Sequence, residues 1–223
     1  MDSKLFSQAL IKVLSGLLIM GLLLFLPAGS FDYWNGWLLL GILFIPMIIA
    51  GFVMMFKSPK LLRKRLNAKE EQSEQKTVII LSGLMFLSAF IVAGLNFRFG
   101  WIVLPNLVVY ISAAVFLFGY ILYAEVLREN AYLSRTVEVQ ENQKVIDTGL
   151  YGIVRHPMYM TTLLLFLSMP LVLGSIISFV IMLVYIPIIS KRIRNEEQVL
   201  EEGLEGYSDY KKRVKHRVIP FIW

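Results

Sequence analysis

Four long apolar runs dominate the first 125 positions. They extend from about Ala9 to Leu26, Trp37 to Phe56, Val78 to Leu95 and Ile102 to Tyr123, and Lys12 is the one charge within them. A helix rises about 1.5 Å per residue, so hydrocarbon about 30 Å thick takes about 20 apolar residues to cross. Each run therefore predicts a membrane-spanning helix. Lys12 lies near an end of its run and can snorkel to the headgroups. Tyr33, Trp34, Trp37 and Trp101 stand beside the runs, where amphipathic rings favour the interface.

A fifth apolar stretch runs from Pro157 to about Ser190, and Pro170 and Gly174 interrupt it. Each half has about 16 residues, or about 24 Å of helix. That is short for a comfortable span. The pattern predicts either two tight spans or a helical hairpin that dips deep and returns. Both ends emerge on the same side in either case.

Three polar segments remain: residues 57–76, 124–156 and 191–223. Leu61, Leu62 and Leu66 predict a helix in the first. That segment also carries Lys57, Lys60, Arg63, Lys64, Arg65, Lys69 and Lys76. The last carries Lys191, Arg192, Arg194, Lys211, Lys212, Arg213, Lys215 and Arg217. The short connections Pro27–Asn35 and Asn96–Gly100 hold only Arg98 as a basic residue. The positive-inside rule puts the basic segments, both termini and any water-soluble chemistry in the cytoplasm. Four spans and a returning hairpin agree by parity. Lys4, Lys12 and Ala28-Gly29-Ser30 also fit a cleavable signal peptide, and cleavage would leave the remaining topology unchanged.

Composition narrows the picture. The chain is 57% hydrophobic and 17% charged, against about 45–50% and about 25% in a soluble domain. The fold class that follows is all-α and polytopic, with residues 1–125 as N-terminal transmembrane helices. Residues 126–223 form a second region of hairpin, cytoplasmic tail and small ligand-binding part. Cysteine is absent and the histidines are His156 and His216, which excludes disulfides, thiolate chemistry and a histidine-rich metal site. Glycine-rich dinucleotide and phosphate-loop patterns are missing. Nothing points to nucleic acid. Spans nearly free of charge argue against ion coupling, and a transporter or a purely structural membrane protein is the non-enzymatic alternative.

Two clusters flank the hairpin. The first runs from Gly149 to Tyr159 and contains Tyr151, Arg155, His156 and Pro157. Pro157 suits the first position of a helix, whose free amides favour an anion. The second contains Arg192, Glu196 and Glu197, followed by Tyr207 and Tyr210. Arg192 and Glu196 are four apart and fit an ordinary helix-surface pair. Glu197 faces a different direction and could meet a cationic ligand. Because a hairpin returns its ends together, the clusters can share one pocket. Its mixed charges and the rings of Tyr151 and Tyr159 suit a zwitterionic ligand with an aromatic base and a positive centre.

From Asn130 onward the chain resembles the isoprenylcysteine carboxyl methyltransferase and phospholipid methyltransferase superfamily. The matching residues are Gly149, Tyr151, Arg155-His156-Pro157, Tyr159, the Glu196-Glu197 pair after Arg192, Tyr207, Tyr210 and Val218-Ile219-Pro220. The resemblance implies an S-adenosylmethionine-dependent membrane methyltransferase whose cofactor pocket opens to the cytoplasm. It implies Arg155, His156 and Glu196 as catalytic residues. It implies Tyr151, Arg155, His156, Pro157, Tyr159, Arg192, Glu196 and Glu197 as cofactor contacts. The acceptor would be a lipid-like or apolar small molecule reaching the pocket from the bilayer: a carboxylate, an amine, a thiol or a phospholipid headgroup. Thr161 stands where the family often has glycine. A membrane reductase of the sterol-reductase type, similar in its C-terminal fold, is the enzymatic alternative.

Overall fold

A computed structural model describes residues 3–66, 73–133 and 139–223. The described part is all-helical, without strands. The apolar runs become α1 (Ser3–Ala28), α2 (Trp34–Lys57), α4 (Ser73–Phe99) and α5 (Asn106–Glu129). Their outward faces carry side chains such as Leu18, Ile45, Ile80 and Ile121, all more than half exposed. A belt of that kind faces lipid. The protein is an integral membrane protein.

The fourth helix starts at Asn106, four residues after the expected Ile102. Pro105 is the reason: a residue before proline is held extended, so the helix opens only beyond it. The expected basic helix is α3 (Pro59–Leu66), with Leu62 buried; Lys69 falls outside the described residues. Lys12 meets this helix rather than only headgroups, donating to the Leu66 carbonyl. The Arg65 guanidinium sits 5.4 Å from the Tyr123 ring centre. These contacts tie α3 to α1 and α5.

Close approach holds the bundle together. A Cβ at Gly94 would lie 2.7 Å from the Leu24 carbonyl oxygen, and one at Gly119 would lie 3.2 Å from Leu165. Small residues let membrane helices pack backbone to backbone in this way.

The hairpin consists of α6 (Pro157–Val172), then α7 (Ile176–Met182) and α8 (Tyr185–Gly203). Pro157 opens α6 as expected. Pro170 does not break it; the helix runs on to Val172 and turns at Gly174, whose φ is +74°. Gly174 N–H bonds to Leu171 O at 3.0 Å and Ser175 N–H to Pro170 O at 2.9 Å. This is the paired closure that a left-handed glycine gives a helix end. The return arm is interrupted at Leu183–Val184, where the bonds tighten to three-residue spacing. Pro187 has no N–H and crowds the carbonyl four residues back, which is Leu183.

Polar side chains from other helices complete the tip. Asn35 Nδ2 donates to Val172 O at 2.9 Å, Tyr33 Oη to Leu173 O at 2.7 Å, and Asn96 Nδ2 to Gly174 O at 3.5 Å. Asn35 lies in the first turn of α2 and Asn96 in the last turn of α4, so the tip lies level with the connections on that side. The hairpin therefore spans the bundle as two arms instead of dipping part-way. Replacing Asn35 with Ala should lower the unfolding midpoint in detergent, because a buried carbonyl left unpaired costs about 1–3 kcal/mol.

Candidate active site at the polar end of the hairpin

At Lys191, α8 passes from apolar to charged sequence yet stays helical to Gly203. Beyond Ser190 it lies outside the apolar spans. Ile193 and Glu197, one turn apart, are buried. Glu196 is rotated away from that face. The paired glutamates thus point two ways, with side-chain exposures of 3% for Glu197 and 25% for Glu196.

Glu197 is the hub of a latch. Its Oε1 accepts from Arg155 Nε and Nη2, each at 2.8 Å, and lies 3.2 Å from His156 Nε2. Its Oε2 is 3.1 Å from Arg217 Nε and Nη2. Arg155 Nη1 donates to Val214 O at 2.7 Å and to Lys215 O at 2.8 Å. The backbone joins in: Arg155 N–H bonds to His216 O and His156 N–H to Arg217 O, at 2.9 and 2.8 Å. Residues 214–217 are therefore stitched across the start of α6. Burial pushes the Glu197 carboxyl up. The hydrogen bonds and charges of His156 and Arg155 outweigh it and hold the group at about 2. Ionised Glu197 only accepts hydrogen bonds, so His156 Nε2 carries the proton of that contact. His156 Nδ1 is left facing Glu196 Oε1 at 3.9 Å.

Glu196 belongs to a second group. Tyr159, one turn into α6, donates its hydroxyl to the Glu196 carboxylate and accepts from Arg192 Nε at 3.0 Å. The expected Arg192–Glu196 helix pair is thus bridged by a tyrosine from the other arm. Nearby, Asn130 caps α5, and its Nδ2 donates to Tyr151 Oη at 2.8 Å. Tyr151 lies in the short 3-10 turn Gly149–Gly152. Burial pushes its hydroxyl up to about 12, so it stays neutral. The small helix α9 (Tyr207–Arg213) closes the far side, with Tyr210 Oη donating to Tyr151 O at 2.7 Å.

These parts surround a pocket that is partly open to solvent. Tyr151, Arg155, His156, Tyr159, Arg192 and Glu196 line it, whereas Pro157 and Glu197 do not. Arg155 reaches the wall with four of its five N–H groups already bonded. The α6 start offers fewer amides than a bare helix end, since Tyr159 and Met160 bond back to His156 O. Asn130, Tyr207 and Tyr210 also line the pocket. The two tyrosines follow the second cluster in sequence but are not among the cofactor contacts that the resemblance implies. Residues 143–146 line it as well. They lie in irregular chain with no periodicity to reveal them.

Residues 111–202 match the isoprenylcysteine carboxyl methyltransferase (ICMT) family. The ICMT-matched segment begins inside α5, takes in the whole hairpin and ends in the last turn of α8. It contains Arg155, His156, Tyr159, Arg192, Glu196 and Glu197, and stops short of Tyr207. A curated relative is the Delta(14)-sterol reductase TM7SF2 of Mus musculus, 29% identical over 91 residues. That match takes in 40% of this chain and 22% of the relative.

Proposed function

We propose that the protein is a membrane methyltransferase that binds S-adenosylmethionine in this pocket and methylates a lipid-like or apolar small molecule. One observation carries the reading: the ICMT-matched segment supplies a cation, a carboxylate and aromatic rings to one pocket. The donor set fits the cofactor. Glu196 suits the ammonium, Arg192 the carboxylate, and the rings of Tyr151, Tyr159 and Tyr207 the base and the positive sulfur. When bound, the cofactor supplies a methyl group already activated on a sulfonium.

The chain's own residues then bind, orient and exclude water. Arg155 and Glu197, bonded to each other, hold the wall and the strap behind it. His156 Nε2–H donates to Glu197, which leaves Nδ1 as its one ring atom for a ligand. An acceptor that is ionised near neutral pH needs no base, so the reading favours a carboxylate or thiolate over an amine. Incubation with methyl-labelled S-adenosylmethionine and a membrane extract tests this. The expected result is label in an apolar product, released by mild base if the acceptor is a carboxylate. Absence of transferred label contradicts it.

The pocket is assigned to the cytoplasmic side. In the cysteine-free chain, Lys60→Cys should resist an impermeant thiol reagent added outside intact cells, and Val103→Cys should react. Val103 is 82% exposed on the opposite connection. The reverse pattern overturns the orientation.

The similarity to a sterol reductase favours a second reading, in which a nicotinamide dinucleotide occupies the same pocket. Binding of NADPH by a parent protein that binds no S-adenosylhomocysteine would support it.

A further inference from the structure

Gly206, with φ +81°, turns the chain into α9 so that Tyr207 and Tyr210 both point inward. Their exposures are 4% and 2%, but their hydroxyls differ. The hydroxyl of Tyr210 donates to Tyr151 O. Among the described residues, the Tyr207 hydroxyl is the one buried side-chain polar atom with no hydrogen-bond partner. Folded proteins keep few such groups, because an unpaired buried donor or acceptor costs stability. Phenylalanine would fill the same space without that cost, so packing does not account for the oxygen. Tyr207 lines the pocket with Tyr159, Arg192 and Glu196. Burial first, and then the Glu197 and Glu196 carboxylates, push its hydroxyl up, so it stays neutral and can both donate and accept.

We infer that Tyr207 is a ligand-contacting residue, whose hydroxyl is completed by a polar group of S-adenosylmethionine. The inference rests on the proposed function and extends the site past the ICMT-matched segment, which ends at residue 202. The oxygen is closed to bulk water. A ligand group reaches it through side-chain adjustment, and the bond then forms in dry surroundings where it is strong.

Calorimetric titration with S-adenosylhomocysteine, paired with thermal unfolding in the absence of ligand, tests the role in the parent, Tyr207→Phe and Tyr210→Phe. Tyr207→Phe should bind about tenfold more weakly, the size of one net hydrogen bond. It should also melt at the parent temperature or above, since an unpaired buried oxygen has been removed. Tyr210→Phe should melt lower, because Tyr151 O loses its donor. Undiminished ligand affinity in Tyr207→Phe overturns the inference. So does a lowered melting temperature, which would give the hydroxyl a partner within the fold. A parent that binds no S-adenosylhomocysteine is a separate outcome and sinks the proposed function together with this extension of it.

Discussion

Glu197→Gln should cost on the order of 3–5 kcal/mol of stability, more than any other single change at the site. The carboxylate is almost wholly buried and faces Arg155, His156 and Arg217, with Lys211 Nζ 3.9 Å away. Neutralising it leaves Arg155 as a buried cation held only by carbonyl oxygens. Arg155→Met should cost less, because Glu197 keeps Arg217 and His156. Denaturant titration in detergent gives the order directly. Losses under about 1 kcal/mol for both, as for surface pairs, would contradict the latch. The strap at residues 214–217 should loosen in Glu197→Gln and become open to protease. The sign of the pH effect follows too. The folded carboxyl titrates at about 2, below the ordinary value near 4.3. Its contribution is therefore present at neutral pH and is lost as pH falls toward 2.

Glu196→Gln should do the opposite: little change in stability and a large loss of ligand. Its side chain is partly exposed, and glutamine can still accept from the Tyr159 hydroxyl. What disappears is the charge that meets an ammonium in the proposed pocket. A hydrogen bond to a charged group is worth about 1.5–3 kcal/mol, or about ten- to a hundredfold in affinity. Calorimetry with S-adenosylhomocysteine measures the loss, and melting in the absence of ligand checks the fold. An unchanged affinity would mean that the ammonium partner lies elsewhere. The two adjacent glutamates thus separate by kind of effect, one on stability and one on binding.

The helices were legible because long uncharged runs have few other uses than crossing a membrane. Their limits were less so. Pro105 delays α5 and Pro187 breaks the return arm, and both effects are local rules that a reading of hydropathy alone passes over. Whether the hairpin spans was not legible at all. It depends on Asn35, Tyr33 and Asn96, which reach the tip from segments about 80 to 140 residues away. The two clusters were legible through the logic of a returning hairpin. The division of labour between Glu196 and Glu197 was not, because the phase of α8 is set by Ile193 packing in the core. Nor was the pairing of Arg155 and His156 with residues 216 and 217, which no local pattern encodes.

Calorimetry of the purified protein in lipid nanodiscs, with S-adenosylhomocysteine and NADPH as alternative ligands, tests the central claim most directly. The expected result is a single saturable site for S-adenosylhomocysteine and no heat from NADPH. Binding of NADPH in its place, or no binding of S-adenosylhomocysteine at any attainable concentration, would contradict the methyltransferase assignment.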